Sequence, residues 1–260
     1  MRYPLYIFDL DGTLYRGSEA IPFAVEAVTM LKSLGSKICY LTNNSGQTRD
    51  FFLKKLRDMG FPVELEDIES TAHGTAIQLL ASGVSQAYVV GEPGLVLTLR
   101  EEGIHVVNAD HDGTVYPEGG PSQAVVVGIC RQFTYELMAG AMTRIRTGQE
   151  FIATNRDSTF PLEGGKLIPG AGSIVAGIQT CAGIEPFVIG KPNPFLVSLV
   201  LERFGCSPED ALVVGDRMDT DILCGIAAGC ATHLVLTGVT ETAPEGQASS
   251  PDLRGLLQAT

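Results

Sequence analysis

The chain has 260 residues, 45% hydrophobic and 18% charged, enough for one large domain or two modest ones. Its 30 Asp and Glu against 18 Lys and Arg give a formal charge of -12. That balance repels nucleic acid and anionic membrane, which excludes both as expected partners, and it leaves a local cation to attract any anionic substrate.

The start, Met1-Arg2-Tyr3-Pro4-Leu5-Tyr6-Ile7-Phe8, is too short for a signal peptide and reads as a first strand. No apolar run approaches the roughly 18–20 residues of a membrane span. Short apolar runs follow at Ile38-Cys39-Tyr40-Leu41, Phe187-Val188-Ile189, Leu212-Val213-Val214 and Leu234-Val235-Leu236. Runs this short and this continuous suit strands buried on both faces of a parallel sheet. Helical segments fall between them: Phe23 to Leu34, Arg49 to Met59, Pro194 to Phe204 and Asp221 to Ala228, each followed by a glycine stop. The alternation predicts an α/β protein, a doubly wound, Rossmann-like parallel sheet. Further strands at Ala87 to Val90, His105 to Asn108, Ala124 to Ile129 and Phe151 to Thr154 read as a smaller α/β domain inserted into the first. The expected division is a core of residues 1–82 and 184–260 with an insert of 83–183. The cysteines Cys39, Cys130, Cys181, Cys206, Cys224 and Cys230 form no C-x-x-C pair, and most sit in apolar surroundings. They are expected to be reduced core thiols of a cytoplasmic protein rather than zinc ligands.

Four strand ends carry polar residues. The first strand runs into Asp9-Leu10-Asp11-Gly12-Thr13-Leu14-Tyr15. Carboxylates at i and i+2 on an extended chain point to one side, so they call for a cation or a shared proton, and hard Mg²⁺ suits oxygen ligands. An Asp-Gly turn explains the same letters. The second strand ends Leu41-Thr42-Asn43-Asn44-Ser45-Gly46, whose hydroxyl, amides and backbone N–H groups suit either phosphate oxygens or a helix cap. Lys191, in Gly190-Lys191-Pro192-Asn193-Pro194, follows a buried run directly. It is either a charge partner for a phosphoryl oxygen and Asp9 or a surface lysine in a turn. Gly215-Asp216-Arg217-Met218-Asp219-Thr220-Asp221-Ile222 places three carboxylates in six residues, either for a cation or for a helix start, the latter best for Asp219.

In this order, the four sites resemble those of the haloacid dehalogenase superfamily. The match is to its p-nitrophenyl phosphatase-like branch, typified by the N-acetylglucosamine-operon phosphatase and its C2-type cap. Ala153-Thr154-Asn155 and Leu236-Thr237-Gly238-Val239 extend the resemblance over nearly the whole chain. It implies hydrolysis of small phosphate monoesters. Asp9 would be the nucleophile that forms an aspartyl-phosphate, and Asp11 the acid and then the base. Thr42, Asn43 and Asn44 would receive phosphate, and Lys191 would offset charge. Mg²⁺ would be held by Asp9, the Asp11 backbone carbonyl and Asp216, with Asp221 behind them. The insert would be a cap, and the partner a small phosphorylated metabolite, with homo-oligomerisation left open. Phosphotransfer to a second substrate, or ligand binding without turnover, are the alternatives on such a fold.

Asp110-His111-Asp112-Gly113-Thr114-Val115-Tyr116 nearly repeats the opening motif. No series of strand-end sites follows it, so it reads as a polar turn in the insert. Gly170-Ala171-Gly172-Ser173 reads as a helix entry, since the full nucleotide-loop pattern is missing.

Overall fold

A computed structural model describes residues 2–161 and 167–258. The chain forms two compact units. The first comprises Met1–Thr42, Asp50–Glu69 and Lys191–Thr260, and the second Asn43–Arg49 and Ser70–Gly190.

The first unit is built on a six-stranded sheet. Across it the strands are Ser249–Ser250, Ala231–Val235, Ala211–Gly215, Leu5–Asp9, Lys37–Thr42 and Ile68–Ser70. Leu5–Asp9 pairs in parallel with both Ala211–Gly215 and Lys37–Thr42. The chain therefore starts in the middle of the sheet, builds one flank, and returns to build the other. This is the doubly wound order, and its topological switch point lies between the first strand and Ala211–Gly215. The apolar runs are buried on both faces: Leu5, Tyr6, Ile7 and Phe8 are all essentially inaccessible, and the rings of Tyr6 and Phe8 stack at 6.0 Å. Helices Ala24–Ser33, Arg49–Asp58 and Phe195–Phe204 form where the 3.6-residue spacing buries one stripe, such as Phe52 and Leu56 of the second.

The second unit carries a five-stranded parallel sheet in the order Phe187–Val188, Glu150–Ala153, Ala124–Val127, Gln86–Val90 and His105–Val106. This is the other common doubly wound order, with its switch point beyond Val90 and Val127. The chain itself fills that crevice. Ser45 Oγ lies 3.1 Å from Thr154 Oγ1, and Gly94 and Gly128 press so close to Gly46 and Ser45 that a Cβ at either glycine would collide. Helix Ala171–Ala182 starts where the Gly-rich turn predicted a helix entry.

One expectation needs correction, and one strand is not foreseen. Phe187–Val188 is a strand, but it belongs to the second sheet, pairing with Glu150–Ala153, and not to the first. Ile68–Ser70 is an edge strand of the first sheet that hydropathy does not reveal, because Glu69 occupies its centre; Glu69 is buried and ion-paired with Arg203. The compact units divide at 69/70 and 190/191, with residues 43–49 in the second. Helix Thr71–Ala81 packs against helix Pro93–Glu101, which draws it into the second unit as well.

All six cysteines are free. Burial raises the Cys39 and Cys224 thiols to about 12, so they stay protonated. Among the described residues, no helix is long and apolar enough to cross a membrane.

Candidate active site

Asp9 ends the first strand and Asp216 follows directly on Ala211–Gly215, so both stand at the carboxyl ends that flank the switch point. Beyond Asp216 the chain makes a π-helical turn, Met218–Ile222, before helix Leu223–Ala227. This wider turn brings Asp221 back beneath the strand end, where its Oδ2 accepts from Arg217 N at 3.1 Å. The sequence leaves a cation site or a helix start open there, and such π turns recur at functional sites. Asp9, Asp216 and Asp221 each offer an oxygen within 4.8 Å of the others.

Lys191 holds this cluster. It is 3% exposed, and its Nζ donates to Asp9 Oδ1 at 2.5 Å and to Asp221 Oδ1 at 2.7 Å. Burial alone would lower its pKa, but Asp221 and Asp9 outweigh burial and hold it above the ordinary lysine range. Asp9 is raised well above the usual carboxylate range by burial, with Lys191 opposing and Asp221 and Asp216 adding to the rise. Burial and Asp221 push Asp216 up to about 6. With all three carboxylates ionised against one ammonium, two negative charges remain for a divalent cation to balance. An all-oxygen donor set suits a hard cation such as Mg²⁺ or Ca²⁺.

The site is closed around Asp216 by residues whose roles the motifs do not disclose. Thr13 Oγ1 lies 3.3 Å from Asp216 Oδ1 and 3.5 Å from Asp9 Oδ2. Val239 N donates to Asp216 Oδ2 at 2.7 Å. Thr237 Oγ1 donates to Gly12 O at 2.7 Å, and Arg16 donates to Thr237 O. Gly12 has φ +89°, and a Cβ there would sit 2.7 Å from Asp216 Oδ2. A Cβ on Gly238 would overlap the same carboxylate. Both glycines are therefore required by close approach as well as by the turn.

Asp11 lies beside the cluster. Burial raises its pKa, while Lys55 and a hydrogen bond from Tyr15 pull it back. Tyr15 Oη donates to Asp11 Oδ2 at 3.3 Å. Thr42 is buried at the end of Lys37–Thr42, one residue beyond the register partner of Asp9. Asn43 and Asn44 lie in the second unit. Asn43 Nδ2 donates to Asp157 at 3.2 and 3.3 Å, and its backbone carbonyl accepts from Thr71 and Asn155. Asn44 Oδ1 accepts from Gly46 N at 2.8 Å, a turn contact.

The repeated motif is a turn, as expected. Asp110 Oδ1 accepts from Asp112 N and Thr114 N, and Oδ2 accepts from Tyr116 Oη at 2.9 Å, in an exposed loop. Asp219 pairs with Arg217 at 2.9 Å at the surface and stays out of the cluster.

The profile of the haloacid dehalogenase-like hydrolases matches residues 6–105, and that of a HAD-hydrolase-like family matches residues 188–254. A glycerol-3-phosphate phosphatase of Gallus gallus is 36% identical over 96% of this chain and 86% of its own length. The chain belongs to the haloacid dehalogenase-like hydrolases. An acid sugar phosphatase of Staphylococcus aureus is 36% identical over 92% of this chain and 88% of its own. The solved p-nitrophenyl phosphatase of Archaeoglobus fulgidus superposes with a TM-score of 0.89 at 33% identity, covering all of both chains. A glycerol phosphate phosphatase of Mycobacterium tuberculosis, solved with calcium, gives 0.83 at 32% identity, covering 98% of this chain and 74% of the other. The protein is thus an enzyme of the phosphatase class of this family.

Proposed function

We propose that the protein is a Mg²⁺-dependent hydrolase of small phosphate monoesters that works through an aspartyl-phosphate on Asp9. The observation that carries this reading is Asp9 itself. It is a partly buried carboxylate at the switch point, tethered by Lys191, with an oxygen within 4.8 Å of oxygens of Asp216 and Asp221. One oxygen is held by the ammonium, and the other lies on the side of Thr13 and Asp216. A carboxylate so fixed can attack phosphorus in line, and catalysis of phosphoryl transfer rests mainly on such positioning and on nearby positive charge.

Asp9, the backbone carbonyl of Asp11 and Asp216 would hold Mg²⁺, with Asp221 supporting them. When bound, the cation offsets the charge of the cluster and of the phosphoryl group. Lys191 opposes the rise in the Asp9 pKa and holds one of its oxygens in place. Asp11, whose pKa burial already raises, gives its proton to the departing alcohol oxygen and then takes one from the water that opens the aspartyl-phosphate. Thr42 donates to the phosphoryl oxygens, and Asn43 is the further donor that the family pattern implies. We assign substrate selection to the second unit.

The relatives carry the names glycerol-3-phosphate phosphatase and acid sugar phosphatase, so polyol and sugar phosphates lead the substrates to test. Six free thiols, four of them buried, fit a reducing, cytoplasmic setting. The test is phosphate release from p-nitrophenyl phosphate and from glycerol-3-phosphate, with and without Mg²⁺, by wild type and Asp9→Asn. Release by wild type only, and only with the cation, is expected. Wild-type turnover by Asp9→Asn would refute the assignment.

A further inference from the structure

We propose that Tyr15 and Lys55 are positioning residues for Asp11, holding one carboxylate oxygen so that the other presents its proton to the leaving alcohol. This rests on the phosphatase reading above and extends it to two side chains outside the strand-end motifs.

Tyr15 is locked in place. Gly12 N donates to Tyr15 O at 2.8 Å, Asp11 and Tyr15 form a β-bridge, and Tyr15–Arg16 pairs with Glu19–Ala20 in a short hairpin. The ring is fully buried. A buried phenol needs an acceptor. The one that Tyr15 has among the described residues is Asp11 Oδ2, at 3.3 Å. That length is long for O–H···O, as catalytic contacts commonly are before substrate binds. Asp11 Oδ1 accepts no hydrogen bond among the described residues, so the two oxygens of one carboxyl are distinguished by the fold.

Lys55 comes from helix Arg49–Asp58, on the turn that buries Phe52 and Leu56. Its ammonium stands 3.7 Å over the centre of the Tyr15 ring. At that distance a cation is attracted to the ring face, so it restrains the ring that carries the phenol.

The consequence concerns the first half of the reaction. As the bond between phosphorus and the ester oxygen breaks, its electron pair goes to that oxygen, which takes the proton from Asp11 Oδ1. Asp11 is left as a carboxylate, its new charge facing the O–H of Tyr15, whose ring the Lys55 ammonium restrains. Help of this kind matters most when the leaving group is a strongly basic alkoxide. It matters least for nitrophenolate, which leaves as a stable anion. A residue that merely supports the fold would affect both esters alike.

The experiment compares kcat and KM on glycerol-3-phosphate and p-nitrophenyl phosphate for wild type, Tyr15→Phe, Lys55→Met, Lys55→Arg and Asp11→Asn, with thermal melts to confirm folding. A hydrogen bond to a charged group is worth about tenfold or more in rate. We therefore expect Tyr15→Phe to lose about tenfold more kcat on glycerol-3-phosphate than on p-nitrophenyl phosphate, with KM little moved. Lys55→Met should shift the ratio in the same sense by a smaller factor, and Lys55→Arg should restore it. Asp11→Asn should show the largest ratio in kcat/KM, which reports the bond-breaking step and not the later hydrolysis of the phosphoenzyme that both esters share. Equal losses on both esters in folded Tyr15→Phe would overturn the positioning role while leaving the phosphatase reading intact. A wild type that cleaves neither ester would instead sink the phosphatase reading itself.

Discussion

Replacing Lys191 with methionine removes the single positive charge from a buried cluster of three carboxylates while keeping most of the side-chain volume. Lys191 is 3% exposed, with Asp9 at 2.5 Å and Asp221 at 2.7 Å. Removing one partner of a buried ion pair costs about 3–5 kcal/mol, because the remaining charge is left without compensation. At about 2–4 °C per kcal/mol for a protein of this size, the melting temperature in EDTA should fall by about 6–20 °C. Two further measurements separate this electrostatic cause from a packing defect. The Lys191→Met, Asp221→Asn double variant should melt higher than Lys191→Met alone, since it removes one of the repelling charges. Saturating Mg²⁺ should stabilise Lys191→Met more than wild type, because the cation takes over part of the lost charge. A Lys191→Met protein that melts within 2 °C of wild type in EDTA would refute the reasoning.

Gly238→Ala places a methyl group against the Asp216 carboxylate, so titration calorimetry should show Mg²⁺ binding weakened at least about tenfold, the loss expected when a ligand's support is disturbed. Unchanged affinity would show that Asp216 does not serve the cation. His73 gives a pH prediction. Burial and Arg49 lower its pKa to about 4, with Glu102 opposing, so it stays neutral in the folded state while the unfolded chain protonates near 6.5. Its contribution is therefore complete above pH 6.5 and is lost as pH falls towards 4, by about 2–3 kcal/mol. Urea unfolding of wild type and His73→Gln should show wild type losing that much more over this interval, and parallel profiles would contradict it.

How much of this was legible in the sequence depends on the kind of residue. Asp9, Asp216 and Lys191 were visible because each follows a short apolar run, and the structure gathers those residues with Asp221 into one cluster. The doubly wound architecture was visible for the same reason. Which sheet a strand joins was not: Phe187–Val188 is apolar enough for either, and only pairing with Glu150–Ala153 decides. Ile68–Ser70 escaped because its central residue is a glutamate, whose burial depends on Arg203 about 130 residues away. The π turn at Met218–Ile222 escaped because an acidic cluster before a helix has a ready explanation in the helix dipole. Lys55 reads as a surface lysine on an amphipathic helix, and its position over Tyr15 is a tertiary contact that no local pattern records.

Asp9 as nucleophile is tested most directly by trapping the phosphoenzyme. In Asp11→Asn the base for the second step is removed, while p-nitrophenyl phosphate still loses its stable leaving group, so the aspartyl-phosphate should accumulate. Borohydride reduces an acyl phosphate to the alcohol, which converts an aspartyl residue to homoserine. After quenching and reduction, mass spectrometry of the peptide spanning residues 3–16 should find homoserine at position 9. Modification at any other residue, or an unmodified Asp9 while nitrophenolate is released in a burst, would contradict the account.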